Sequence, residues 1–200
     1  ANSQVRDAMG VTMLGDPELT YTTNIIFRYE GFEGLHNKKP GYRFILLDQN
    51  GTWSTIVAIN GRDQWRMSII GNRQDRRELT NIEIKEAIRS AVGCDFNHEI
   101  LSVVQWVRRE LVAEKFLIGN VLIAGDAAHC MSPTGGFGMN TGVDDAVNLA
   151  WKLAALYHGW GGPKLIESYQ AERRPIAIRN LAQSYALADI KSAISVPEGV

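Results

Sequence analysis

Val121-Leu122-Ile123-Ala124-Gly125-Asp126-Ala127-Ala128-His129-Cys130-Met131-Ser132-Pro133-Thr134-Gly135-Gly136-Phe137-Gly138-Met139-Asn140 is the stretch whose reading decides the fold. Val121 to Ala124 is a short apolar run that stops at a glycine, as a strand buried on both faces would. Gly125-Asp126 marks the strand end. The Asp126 carboxylate is thereby placed at a strand's carboxyl edge, where open α/β sheets hold their ligands. Pro133 followed by Gly135, Gly136 and Gly138 makes a loop whose backbone can approach another molecule closely.

A helix follows. Val143, Ala146, Val147, Ala150, Leu153, Ala154 and Tyr157 keep the 3-4 rhythm of one buried face. Asn140 or Thr141 can cap its start, and Asp144 and Asp145 would put negative charge in its first turn, where the helix dipole favours it. Strand, acidic residue, glycine loop and helix N-terminus together suit negative charge on a ligand, either a phosphate or an electron-rich ring carbonyl. An acid in that position argues against an adjacent phosphate and for a hydroxyl-bearing partner such as a ribose or ribityl chain.

Gly125-Asp126-Ala127-Ala128-His129, Pro133, Gly135-Gly136, Gly138, Asn140, Asp145-Ala146 and Asn148 to Leu153 resemble the second flavin-binding motif of the FAD-dependent aromatic hydroxylases, the single-component flavoprotein monooxygenases related to p-hydroxybenzoate hydroxylase. Tyr169 to Pro175 is similar to the segment that follows in that family. Ala1 to Arg6 looks like the tail of its Asp-Gly motif. The family's N-terminal βαβ unit and Gly-x-Gly-x-x-Gly are not in these 200 residues, so the resemblance implies a fragment, the middle and later part of a flavin hydroxylase.

Composition is that of an ordinary globular chain, 45% hydrophobic and with a net charge of -1. This gives no electrostatic reason to expect nucleic acid or an anionic membrane as partner. Cys94 and Cys130 are too far apart for a Cys-x-x-Cys pair, which argues against structural zinc or a disulfide framework and for a reduced, cytoplasmic setting. No run approaches the roughly 20 apolar residues of a membrane span. Association into a homo-oligomer is left open.

Residues 1 to 17 read as a connecting segment punctuated by Gly10, Gly15 and Pro17, and Thr20 to Tyr29 as a strand. Tyr42 to Asp48, Thr52 to Ile59 and Gln64 to Ile70 are strand-like runs separated by Asn50-Gly51 and Asn60-Gly61, pairs that favour two-residue hairpins with both residues at positive φ. An antiparallel meander is predicted. Thr80-Asn81-Ile82-Glu83 is a capping box, with Ile84, Ala87, Ile88 and Ala91 the buried stripe of a helix that Gly93 ends. His98 to Arg109 reads as a strand. Past Gly159 to Gly162, Pro163 starts a helix with Leu165, Ile166 and Tyr169 inward, and Pro175 kinks it or begins the next, over Ile176 to Ile194.

The expected class is α+β: an antiparallel substrate-domain sheet with packed helices over residues 17–112, after a connector over 1–16, then over 113–200 the strand-loop-helix part of an α/β FAD-binding domain. The resemblance implies that Asp126 accepts a hydrogen bond from the ribityl chain of FAD, and that the amides of Gly138, Met139 and Asn140, behind Gly135 and Gly136, lie near the pyrimidine edge of the flavin. It also implies that Pro133 lines the space where substrate and oxygen meet, which is the one catalytic role expected. Arg6 is tied by the same resemblance to pyridine nucleotide or pyrophosphate. The meander would supply a substrate wall, with Tyr42, Phe44, Trp53, Ile56, Trp65 and Met67 as candidates. His129 reads as a loop-packing histidine, Arg173 and Arg174 as salt-bridging helix residues, and no metal is expected. The implied reaction uses NADPH or NADH and dioxygen to form a flavin C4a-hydroperoxide that hydroxylates a phenolic or other aromatic ring. An epoxidase, reductase or halogenase with the same flavin region is the rival enzyme reading, and a substrate-binding piece without FAD the rival of another class.

Overall fold

The computed structural model describes residues 2–36, 38–71 and 78–193, with side chains to 187 in the last helix. The chain forms two compact units, residues 1–18 with 109–189 and residues 19–108 with 190–200.

In the second unit, β1 (Met13–Arg28), β2 (Arg43–Asp48), β3 (Gly51–Ala58), β4 (Gln64–Ile70) and β5 (Glu99–Ala113) stand in the order β2-β3-β4-β1-β5. The predicted meander is present and antiparallel, with Ile56 opposite Met67 and Met67 opposite Ile25. Strand residues alternate faces, so this register collects Ile25, Phe27, Ile56, Trp65 and Met67 on one side, against Ile84 and Ile88 of α2 (Asn81–Val92). Phe32 stacks on Trp65 with centroids 4.3 Å apart and closes this core. The capping box is formed: Thr80 Oγ1 accepts from Glu83 N while Glu83 returns a carboxylate to Thr80 N, and Gly93 ends α2 at φ 88°. The hairpins differ from expectation. Among the described residues no non-glycine has positive φ. Side-chain acceptors hold these turns instead: Asn60 Oδ1 receives the N–H groups of Arg62, Asp63 and Gln64, and Asp48 Oδ1 that of Asn50.

In the first unit the opening residues are structured rather than a bare connector: α1 (Gln4–Ala8) is capped by Ser3, and β1 begins at Met13. Gly15 lies so close to the Glu110 carbonyl that a Cβ there would collide with it. β5 pairs at its end with β8 (His129–Cys130), and β6 (Leu117–Ile118) with β7 (Val121–Leu122). The run Val121–Ala124 is therefore no doubly buried strand. Only its first two residues pair, antiparallel with β6, and Val121 is exposed. The core of this unit is Val11, Val112, Ala113, Phe116, Ile123, Ala128, Tyr169 and Ala177. Two long helices complete it, α3 (Phe137–Tyr157) and α4 (Pro163–Ala193). α4 continues through Pro175, so Pro175 begins no new helix. The expected helix end at Ile194 lies outside the described residues, as do the side chains of Ala188 and Ala193. Among the described residues no helix is long and apolar enough to cross a membrane.

Candidate functional site

The glycine-rich loop ends where α3 begins, its N-cap lying four or five residues earlier than the caps predicted from sequence. Gly136 is the N-cap, at φ 71°, and among the described residues no side chain caps the helix; Asn140 instead donates to the Gly136 carbonyl at 2.9 Å. The first amides of α3 therefore have no partner within the helix. A Cβ built on Gly136 meets nothing within 4 Å, whereas one on Gly135 would press into the Phe137 ring at 2.6 Å. Gly135 is thus closed by the protein's own atoms, and Gly136 faces open space. Pro133, Met139 and Asn140 are exposed alongside it.

Asp126 lies on a short 3-10 turn, Gly125–Ala127, entered through Gly125 at φ 56°. It is exposed, and its carboxylate has no partner among the described residues. The turn itself is held firmly. Gly125 sits against Gly142 of α3, where a Cβ on Gly142 would come within 3.3 Å of the Gly125 Cα. From the other end of the unit, buried Arg6 donates to the Ala127 carbonyl at 3.1 Å. Arg6, expected as a nucleotide contact, is thereby built into the support of the Asp126 turn.

α3 presents the opposite face from the one predicted. Val143, Val147, Leu153 and Tyr157 are 55%, 64%, 45% and 87% exposed, and the buried positions are Thr141, Asp145, Lys152 and Ala155. The rhythm was read correctly, but polar residues keep it too, and it is their stripe that meets the rest of the unit. Asp145 belongs to the third turn, not the first, and is fully buried. Its Oδ2 accepts from Gly125 N at 3.1 Å and lies 2.7 Å from His129 Nε2, while Oδ1 accepts from Arg173 Nε at 2.8 Å. Burial by itself pushes the Asp145 carboxyl up; the bonds from His129, Arg173 and Gly125 N–H outweigh it and hold the pKa below the usual value. Lys152 is likewise buried, with Nζ 2.7 Å from both Glu172 Oε1 and Ser168 Oγ. Bonds from Lys152, then Asn148 and Ser168, bring Glu172 down to about 2.

α4 backs this whole region with one face. Tyr169 OH donates to the Ile123 carbonyl at 3.0 Å, Asn180 Nδ2 to Thr141 Oγ1 at 2.9 Å, and Ser184 Oγ reaches the carbonyls of Ser132 and Thr134, each at 3.1 Å, on either side of Pro133. Burial pushes the Tyr169 hydroxyl pKa upward, with the Asp145 charge adding to it and Arg173 opposing. The reading of Arg173 as an ion-pairing residue holds. Arg174 instead donates to the Ala113 carbonyl. His129 packs in the interior as expected, and its carboxylate partner is the part that sequence reading missed. So are Asn180 and Ser184. A polar stripe at Thr141, Asp145, Asn148 and Lys152 was the available signal.

In the other unit, Trp65 belongs to the core beneath α2, Phe44 and Trp53 are partly buried and pack against it, and Tyr42 is 77% exposed. Ile56 and Met67 are also core. Among the described residues no group of three His, Cys, Asp or Glu side chains could hold a metal ion.

Asp126 thus offers an exposed carboxylate with no partner among the described residues, on a turn packed against α3, a helix whose N-terminus carries no side-chain cap among those residues and whose Gly136 has free space where a side chain would stand. The chain belongs to the FAD binding domain family, whose profile matches residues 1–184. It is 43% identical over 191 residues to 4-methyl-5-nitrocatechol 5-monooxygenase of a Burkholderia species, covering 92% of this chain and 35% of that protein. A putative polyketide hydroxylase of Streptomyces coelicolor is 35% identical over 179 residues, 88% of this chain and 28% of its own length. Among solved structures, the rebeccamycin biosynthetic enzyme RebC with reduced flavin superposes with a TM-score of 0.84 at 34% identity, covering 99% of this chain and 37% of that one. The chain thus spans about a third of the length of the relatives it matches.

Proposed function

We propose that this protein is an FAD-dependent monooxygenase that inserts one oxygen atom from dioxygen into a phenolic or other aromatic substrate, with NADPH or NADH as electron donor. The carrying observation is the free Asp126 carboxylate on a turn fixed against α3, a helix whose start is uncapped. The residues present fit FAD. Asp126 would accept from a ribityl hydroxyl, and the Gly138, Met139 and Asn140 amides would face the ring's pyrimidine edge, where the positive end of α3 favours negative charge. Pro133, bracketed by the two carbonyls that Ser184 holds, would form a rigid border that limits water near the ring. When bound, the flavin supplies the redox chemistry and dioxygen activation. The relatives whose names specify nitrocatechol and polyketide substrates support an aromatic substrate class.

Asp126→Ala, made in the protein as its gene encodes it, tests the reading. One hydrogen bond lost to a neutral hydroxyl should weaken FAD binding by about 1–3 kcal/mol. Because Asp126 is exposed and unpartnered, the melting temperature of the apo-protein should hold. Fluorescence titration with FAD reads the first and calorimetry the second. An unchanged FAD affinity would reduce Asp126 to a turn residue and remove the basis of the assignment.

A further inference from the structure

Buried Asp145 and His129, with partly buried Arg173, are among the charged and polar groups that the proposed FAD contacts leave without a task. Each partner of Asp145 comes from a different segment: Gly125 from the turn that carries Asp126, His129 from β8, and Arg173 from α4. An apolar side chain in this place would leave the Gly125 N–H, His129 and Arg173 without their acceptor. It could not dictate where the Gly125 N–H points, and an acceptor at 3.1 Å does. Gly142 and Asp145 lie three residues apart on one face of α3, so the turn is stopped sterically by the first and oriented by the second. His129 Nδ1 is buried without a partner among the described residues, which fits the tautomer carrying its proton on Nε2, where it donates to Asp145. Arg173 occupies the other oxygen and supplies the positive charge that keeps the carboxylate an acceptor only. Its Nη2 also reaches the Thr141 carbonyl at 3.4 Å, tying the same guanidinium to the start of α3.

We propose that Asp145 is the positioning residue of the cofactor site: through the Gly125 N–H it sets the Gly125–Asp126 turn so that the Asp126 carboxylate is presented to the ribityl hydroxyls of FAD. This rests on the FAD reading above. Asp145 touches no part of the cofactor and acts only through its neighbour.

Two consequences separate this role from a general contribution to stability. The first concerns the turn alone and needs no cofactor: in Asp145→Asn the Gly125 amide should exchange with deuterium about 10-fold faster or more, while amides of α2, in the other unit, keep their rates. The second concerns coupling. Asp145→Asn should raise the Kd for FAD about 10- to 100-fold, and the Asp126→Ala/Asp145→Asn double variant should lose little beyond Asp126→Ala, because a misaligned turn has no carboxylate left to misplace. Should Asp145→Asn fail to fold, Arg173→Lys keeps the charge, removes the fixed fork, and should show both effects in smaller measure. Unchanged Gly125 exchange in the folded variant, or fully additive losses in the double variant, would overturn the positioning role. A wild-type protein that takes up no FAD would instead sink the monooxygenase reading, and the exchange experiment would still decide what Asp145 does to the turn.

Discussion

Gly136→Ala isolates the claim that free space in the loop is reserved for a ligand. Gly136 sits at φ 71° as the N-cap of α3, and its missing Cβ would meet no protein atom within 4 Å. The protein itself therefore resists the methyl only through the left-handed backbone, at roughly 1–2 kcal/mol. Gly61 is the internal control: φ is 69°, a Cβ there also meets nothing within 4 Å, and it lies in the turn between β3 and β4. The two alanine variants should lose the same stability in denaturant titrations. If a flavin ring edge fills the space over Gly136, one methyl forced into that contact costs a further 1–3 kcal/mol or so, which is about 5- to 150-fold in Kd for FAD. Gly61→Ala should bind FAD as wild type does. The decisive assay is the pair of FAD titrations on variants matched in stability. Equal affinities for Gly136→Ala and Gly61→Ala would refute the reasoning, since the space would then be empty of ligand as well as of protein.

Ser184→Ala removes a fully buried hydroxyl that one face of α4 aims at the Ser132 and Thr134 carbonyls; it should cost about 1–3 kcal/mol in calorimetry and loosen the Pro133 loop to protease, and Ser184→Thr should restore part of both. Glu172 has its pKa lowered to about 2, so the stability it contributes is present at neutral pH and lost as pH falls from about 4.5 toward 2; Glu172→Gln should flatten the acid limb of the melting-temperature profile, and an unchanged limb would show that the half-exposed Lys152 pair is fully screened. The exposed apolar side of α3 should make the 200-residue chain associate with itself in sedimentation runs at rising concentration, and Val147→Glu should return it toward monomer without lowering its melting point, because Val147 is 64% exposed.

The short-range features of this chain were legible in its residues because their causes are local. A Thr-x-x-Glu box closes on itself within one turn, β-branched runs between Asn-Gly pairs make an antiparallel meander under either turn type, and a glycine after a periodic stripe ends a helix wherever that helix lies. The glycine loop followed by α3 was equally readable, and with it the candidacy of Asp126, since both depend on residues within a dozen positions of one another. Sidedness was not legible. Hydrophobic period says that α3 has an apolar stripe, but not that the described residues cover it, and here the polar stripe on the opposite side of the helix is the one buried. Nor could spacing foretell that Asp145 would meet His129, 16 residues before it, and Arg173, 28 residues after it. A buried carboxylate is stable only when its partners converge, and convergence is decided by how α3, α4 and the Gly125 turn pack, which no single segment contains.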